Sequence, residues 1–205
     1  MTALLSASEL SFAYTRRRVV DLWSQDFSGG LCWLRGPNGT GKSTRLKLLG
    51  GALDPQWGTA RIAGLDLRAQ PLEYRREVAL VSADPPPFEH LNPAERFGFL
   101  ARLYPRSDAS QWQRHVEGFG LTPFLKQPLR QLSTGTQHKA ALAAALALGT
   151  RVLLLDEPLN ALDASSHAHL QGCLREAAAS SERLTLVVSH EPLGIEPGAE
   201  LWLAP

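Results

Sequence analysis

Cysteine is scarce in this 205-residue chain, which has only Cys32 and Cys173. One falls in an expected strand and the other in an expected helix, so both read as buried thiols rather than a disulfide. There is no C-x-x-C pair and no Cys/His metal spacing along the sequence. The six histidines are scattered. His167 and His169 are two apart, so on a helix they would not face each other. An excess of one charge sign is also missing. Twenty-one Lys+Arg against 20 Asp+Glu leave a formal charge of +1, which argues against nucleic acid as a partner. Only four lysines occur, Lys42, Lys47, Lys126 and Lys139, and none sits in the N-K-x-D setting that would read a guanine base. Long apolar runs are absent. The most apolar stretch, residues 140–149, is about half the ~20 residues a spanning helix needs. The N-terminus, MTALLSASEL, lacks a basic start and reaches Glu9 too soon for a signal peptide. The expectation is a soluble protein whose membrane role, if it has one, comes through a partner. No internal repeat, low-complexity tract or linker is visible.

What is present is an ordinary globular composition, 44% hydrophobic and 20% charged, at a length suited to one sizeable domain. The chain is organised around Leu31–Thr44, LCWLRGPNGTGKST. A short apolar run leads into a glycine-rich turn, and Lys42, Ser43 and Thr44 then open a helix expected over Arg45–Leu49, closed by Gly50-Gly51. The spacing G-x-x-x-x-G-K-S is that of a phosphate-binding loop. Glycines let the backbone curl so that successive N–H groups point at phosphate oxygens. The helix start adds partial positive charge. Lys42 can reach the β- and γ-phosphates, and the Ser43 hydroxyl can hold Mg²⁺. The plain alternative is a glycine turn before a helix.

Elsewhere, Ala3–Phe12 and Val19–Phe27 read as strands, with Arg16, Arg17 and Arg18 at a solvated hairpin tip or, as the sharper option, touching an anionic lipid or nucleotide. Thr59–Ile62 reads as a strand and Gly64–Pro71 as a loop. Glu77–Ser82 is a short apolar strand that the prolines after Asp84 cannot continue. Residues from about 88 to 135 form a small helical insert, with Asp108 as one helix cap. Ser133–Gly149 is a long alanine- and leucine-rich helix. Arg151–Leu155 and Leu184–Ser189 are continuous apolar strands, as expected within a buried parallel sheet. Ser165–Ala179 is a helix, and Leu201–Leu203 a short final strand. Alternating strands and helices predict an α/β core.

Two further motifs carry chemistry. Asp156 and Glu157 follow a buried apolar strand, at the end that faces the ligand crevice in an open α/β sheet. Asp156 can serve the Mg²⁺ shell, and Glu157 can orient or deprotonate water for in-line attack. A polar turn ending a strand is the bland alternative. In Leu132-Ser133-Thr134-Gly135-Thr136, Ser133 and Gly135 sit where a long helix begins. That is a good N-cap and equally an anion site.

Five ordered motifs, GPNGTGKST, LSTGT, LLLDEP, Asn160-Ala161-Leu162-Asp163 and Ser189-His190, resemble the ATPase subunit of an ABC transporter along essentially the whole chain. The resemblance implies a single ABC-type ATPase domain over residues 1–205. Its fold would be a P-loop core with a mixed, mainly parallel sheet, an N-terminal antiparallel β subdomain and a helical subdomain. It implies ATP and Mg²⁺ as cofactors, a second nucleotide-binding subunit and a transmembrane permease as partners, and a place at the inner face of the membrane. Tyr14 would stack on adenine. Gly36, Pro37, Asn38, Gly39, Thr40, Gly41, Lys42, Ser43 and Thr44 would hold the nucleotide, with Ser43 and Asp156 on the metal. Glu157 would be the general base, with His190 and Lys42 acting on the γ-phosphate. Ser133, Thr134, Gly135 and Thr136 would meet the partner subunit's ATP, and Asp163 would lie at the dimer seam.

Two departures stand out. Where the family usually has a glutamine after the strand here read as Val78–Ser82, this chain has Ala83, which offers no side-chain donor or acceptor. Either Ser82, Asp84 or water substitutes, or coupling runs differently. The signature also has Thr134 and Thr136 where glycine and glutamine are commonest. The short length and LSTGT look most like ATPases of ABC-2 exporters or of the haem-exporter group. Rival readings are another P-loop class (a GTPase or small-molecule kinase), a non-transport ABC-type ATPase, and a regulatory nucleotide-binding protein.

Overall fold

The apolar run Val152–Asp156 (β7) is buried at every position. Alternate side chains leave a strand on opposite faces, so β7 must be covered on both sides. Leu153 and Leu155 enter one hydrophobic cluster and Val152 and Leu154 another. The computed structural model describes residues 3–15, 17–82, 84 and 88–204. Within it β7 lies inside a five-stranded sheet of order β6-β7-β8-β3-β9, built from β3 (Gly30–Arg35), β6 (Val78–Val81), β8 (Leu184–Val188) and β9 (Ala199–Trp202). Every pair in this sheet is parallel.

The second sheet is antiparallel, of order β2-β1-β4-β5, from β1 (Leu5–Tyr14), β2 (Arg17–Phe27), β4 (Trp57–Ile62) and β5 (Leu65–Asp66). The expected mixture of strand directions is therefore divided between two sheets. Leu5, Leu10, Val20 and Ile62 join Leu34, Leu154 and Val188 in one cluster, together with Leu46 and Leu49 of α1 (Lys42–Leu49). The antiparallel sheet and α1 thus cover one face of the parallel sheet.

The opposite face is covered by helices: α3 (Pro93–Leu103), α4 (Ala109–Gly118), α5 (Thr134–Ala147) and α6 (Ala164–Ala178). Phe97, Val116, Ala143 and Leu170 share a cluster with Leu153, Leu155 and Val187. The segment read as a helical insert is accordingly built onto the sheet and shares its core. Its helices start where their caps dictate. Asn92 and Glu95 form a reciprocal capping box at α3, and the Asp108 carboxylate accepts from Ser110 N and Gln111 N at α4. Among the described residues no helix is long and apolar enough to cross a membrane.

Two expectations need correction. Arg17 and Arg18 are strand residues, paired with Tyr14 and Ala13, because the hairpin closes tighter than its charge pattern suggests; Arg16 lies outside the described residues. The stretch read as a loop from Gly64 to Pro71 contains β5 and opens α2 (Pro71–Arg76). Pro71 occupies the first helical turn, where its missing N–H is harmless, and buried Tyr74 donates its hydroxyl to Leu49 O at 2.6 Å.

Candidate active site

Strand register brings the chemistry together. Leu34 of β3 pairs with Val188 of β8, and Val188 pairs with Asp156 of β7. Three strand ends are therefore level, and the chain leaves all three at the same edge. Gly36–Gly41 leaves from β3, Glu157 from β7 and Ser189-His190 from β8. The cleft at this edge, about 620 Å³, is lined by Asn38, Gly39, Gly41, Lys42, Ser43, Thr44, Tyr14, Glu157 and His190, among others. The carboxyl edge of a parallel sheet is where ligands of α/β folds are held.

The glycine loop is braced by its own lysine. Lys42 Nζ donates to Gly36 O at 2.7 Å and to Pro37 O at 2.9 Å, and Thr40 Oγ1 donates to Pro37 O at 2.9 Å. Gly36, Pro37 and Thr40 thus shape the loop from its outer side and do not line the cleft. Gly41 caps α1 at φ 81°, a conformation costly for any residue with a Cβ. A Cβ there would also lie 2.8 Å from Val19 Cγ1, so strand β2 packs directly on the loop. Arg45 extends that contact: Nη1 donates to Thr40 O at 2.5 Å, and its guanidinium lies 5.2 Å from the Trp23 ring centroid. Burial lowers the Lys42 ammonium from its ordinary value, while Glu157 and Asp156 pull it back up.

The acidic pair is held differently on its two members. Burial raises the Asp156 carboxyl, offset by the Ser43 hydroxyl, Lys47 and Lys42, with Asp84 raising it further. Asp156 Oδ1 is buried without a hydrogen-bond partner, an arrangement that normally costs about 1–3 kcal/mol. Glu157 has φ 50°, a left-handed conformation of the kind that gathers at functional sites at a cost of about 1–3 kcal/mol. Its N–H donates to Val188 O at 2.8 Å, and its Oε2 accepts from His190 N at 3.2 Å. His190 Nε2 stands 3.4 Å from Glu157 Oε1, within ion-pair range but outside hydrogen-bond geometry, so Oε1 has no hydrogen-bond partner. The turn carrying His190 is fixed by Trp33, whose indole N–H donates to Ser189 O at 3.2 Å. An unpartnered carboxylate oxygen beside a serine hydroxyl is a donor set that suits a hard cation, so Ser43 and Asp156 fit Mg²⁺.

A family model for the ABC transporter matches residues 25–160. The chain belongs to the ABC transporter family. It is 35% identical over 167 residues to the sulfate/thiosulfate import ATP-binding protein CysA of Mycobacterium bovis, covering 80% of this chain and 47% of that protein. It is 33% identical over 197 residues to the molybdenum import ATP-binding protein ModC of Mycobacterium tuberculosis, covering 87% of this chain and 52% of that one. It therefore spans about half the length of these curated relatives. A solved structure described as the ATP-binding subunit of an ABC transporter superposes with a TM-score of 0.80 at 26% identity, covering 91% of this chain and 80% of that one.

The residues read from the sequence as a signature stand outside the lining of the cleft. Ser133 caps α5, its Oγ accepting from Thr136 N at 3.2 Å and lying 2.8 Å from Thr136 Oγ1. Gly135 rests against the Ala161 carbonyl. Neither they nor Thr136 line the cleft, and Thr134 lines a neighbouring hollow of about 500 Å³ with Asp156 and Glu157. Asp163 caps α6, accepting from Ser166 N at 2.8 Å, and pairs with Lys139 Nζ of α5 at 2.7 Å. Ala83, at the expected glutamine position, lies outside the described residues. Its neighbours Ser82 and Asp84 line that same hollow, and Asp84 pairs with Lys47 at 2.8 Å and accepts from Ser82 Oγ at 3.3 Å. Arg17, Asn160 and Glu191 also line the cleft; Asn160 entered the sequence reading only as part of the 160–163 motif, and Glu191 was not singled out. Arg17 was legible only as one of a basic triplet. Its pairing with Tyr14 is what turns it toward the nucleotide loop, and no local signal marks Glu191.

Proposed function

We propose that this chain hydrolyses ATP and uses the cycle to drive a membrane-embedded partner, working as a pair of nucleotide-binding subunits at the inner face of the membrane. The observation that carries the reading is the common edge shared by the glycine loop, Asp156-Glu157 and His190, with the signature residues left outside the cleft. Within one chain the triphosphate has a cradle, a metal-side carboxylate and a second carboxylate suited to hold water. Lys42 and the start of α1 would hold the phosphates. Ser43 and Asp156 would hold Mg²⁺, which when bound neutralises charge on the β- and γ-oxygens.

Glu157 has the geometry of a general base. Oε2 is already turned by the His190 amide, and Oε1 is free of hydrogen bonds and 3.4 Å from the His190 ring. The imidazole would steady the γ-phosphate while the carboxylate takes the proton of the attacking water. Ser133 and Gly135 have no phosphate to meet in their own cleft, and a second copy arranged head to tail would bring one.

The test is the Glu157→Gln variant with ATP and magnesium. Turnover is expected to fall by roughly 10²–10⁴-fold, the usual range for loss of a general base. Nucleotide binding should persist, and light scattering should show a dimer that wild type forms only transiently. A variant that binds ATP yet turns over at the wild-type rate removes the catalytic assignment. One that remains monomeric at saturating ATP removes the paired mechanism.

A further inference from the structure

Far from the cleft, three side chains that the sequence keeps apart converge. His115 Nδ1 of α4 lies 3.0 Å from His169 Nε2 of α6, and Cys173 Sγ lies 3.9 Å from each nitrogen. His169 and Cys173 are four residues apart and share one face of α6. His115 arrives from a helix 54 residues away in sequence. Spacing along the chain cannot reveal this cluster, because it is split between two helices.

We propose that His115, His169 and Cys173 form a binding site for a late first-row cation of the Zn²⁺ class. These donor atoms all lie within 4.8 Å of one another. An ion about 2.0–2.1 Å from each nitrogen and about 2.3 Å from sulfur satisfies the 3.0, 3.9 and 3.9 Å edges of this triangle simultaneously. Imidazole and thiolate prefer such a cation over Mg²⁺, which demands oxygen donors, so the site would not compete with a magnesium–nucleotide site.

The surroundings are shaped for these groups. His115 is only 3% exposed. The His169 ring fills the space above Gly118, where a Cβ would lie 2.2 Å from ring atoms, and Phe119 meets the same ring edge-to-face at 4.7 Å. A cavity of about 320 Å³ lined by both His115 and Cys173 adjoins the cluster, giving an ion a way in and a fourth ligand room. Beside it Arg114 of α4 and Glu176 of α6 form an ion pair, with Nη1–Oε2 at 3.1 Å, so the two helices are already registered. Burial keeps both imidazoles neutral, His115 lowered to about 4, so each can offer a lone pair. Burial likewise holds the Cys173 thiol protonated, raised to about 11. Binding therefore forms two metal–nitrogen bonds and one metal–sulfur bond, breaks the hydrogen bond between the imidazoles, shifts the donor ring's proton to its other nitrogen, and releases the thiol proton to solvent. No electron is transferred. The product is a clamp between α4 and α6.

The experiment uses the full chain, chelator-treated and free of nucleotide, titrated with Co²⁺ and then Zn²⁺. We expect a thiolate-to-cobalt charge-transfer band that saturates at one equivalent, is bleached by Zn²⁺ and is unaffected by Mg²⁺. Zn²⁺ should raise Tm by a few degrees through preferential binding to the folded state, with about one proton released per ion. The Cys173→Ser variant should lose the band and the shift, and Cys32→Ser should keep both. His169→Gln, at a half-buried position, repeats the test without touching sulfur and should weaken binding at least tenfold. No band in wild type, a band that survives Cys173→Ser, or zinc affinity unchanged in His169→Gln overturns the site.

Discussion

The starts of α1 and α5 are built on opposite plans. At α1 the cap is Gly41, which offers no side-chain acceptor to the first-turn amides. At α5 the cap is Ser133, whose hydroxyl oxygen already accepts from Thr136 N. Free N–H groups and the positive end of the helix dipole are what bind an anion, so the α1 start is open to a ligand while the α5 start is partly satisfied by its own cap. Each lesson about function follows from that contrast. The open start lies in a cleft with its lysine, Glu157 and a histidine. The closed start does not line that cleft, its Thr134 lines the neighbouring hollow with Asp156 and Glu157, and its Ser133 cap leaves it partly satisfied on its own. A site that waits for a second molecule should be able to rest without it.

The largest effect is expected at the open start. Lys42→Ala removes charge-assisted hydrogen bonds to phosphate worth about 1.5–3 kcal/mol, so single-chain ATP affinity should fall roughly 10- to 150-fold. It also removes the strut from Lys42 Nζ to Gly36 O and Pro37 O, so some loop order is lost as well. Equilibrium binding of a fluorescent ATP analogue measures this. Unchanged affinity would mean that the cleft is not the phosphate cradle, and the contrast between the two starts would collapse.

What could be read beforehand follows the same line of local against distant. Leu31–Thr44 and Val152–Glu157 are contiguous, and their order of apolar run, turn and polar group encodes strand, loop and site in one stretch. The β5–α2 segment was hidden because Leu65–Asp66 is two residues long and owes its pairing to Arg61 and Ile62. The left-handed backbone of Glu157 was hidden because Val188 O and His190 N impose it from another strand. Arg17 looked like a solvated charge because the pairing that aims it is set by a tight hairpin. His115 and His169 were read as scattered, and Cys173 as a buried thiol, because only the packing of α4 on α6 joins them. Periodicity finds elements, and registers between elements find sites.

At the closed start the expected effect is moderate and of another kind. Ser133→Ala loses the cap and should cost about 1 kcal/mol of stability, lowering Tm by about 2–4 °C at this size. Single-chain ATP affinity should stay within about twofold, because Ser133 is outside the cleft. ATP-driven dimerisation, followed in a Glu157→Gln background, should weaken. If Ser133→Ala instead lowered single-chain affinity as far as Lys42→Ala, the two starts would serve one cleft in one molecule, and the head-to-tail arrangement would be wrong.

The smallest effect lies in the tether between α5 and α6. Lys139, near the start of α5, holds the Asp163 carboxylate at 2.7 Å, and Asp163 in turn caps α6. Lys139 first, then Ser166 N–H and the Ser165 and Ser166 hydroxyls, keep this carboxyl below its ordinary range. A carboxyl depressed in the folded state contributes stability that is present above its unfolded value, about 3.9. That contribution is lost as pH falls through the lower folded value. Asparagine keeps a capping oxygen but cannot attract Lys139. The Asp163→Asn variant should therefore be slightly less stable than wild type at neutral pH, by a margin that solvent exposure keeps small. The gap should begin to narrow as pH drops below about 4, where the unfolded carboxyl takes up its proton, and go on narrowing toward the lower value of the folded carboxyl. Asp66, Asp84, Asp108 and Glu176 are also held low by their partners, so wild type will lose stability in acid whatever Asp163 does. Urea midpoints of both proteins across the acid range isolate the one carboxyl, because the other four cancel in the difference. A gap that is the same at neutral pH and in acid would show that Lys139 and Asp163 do not couple, leaving the α5 start tied to α6 by packing alone.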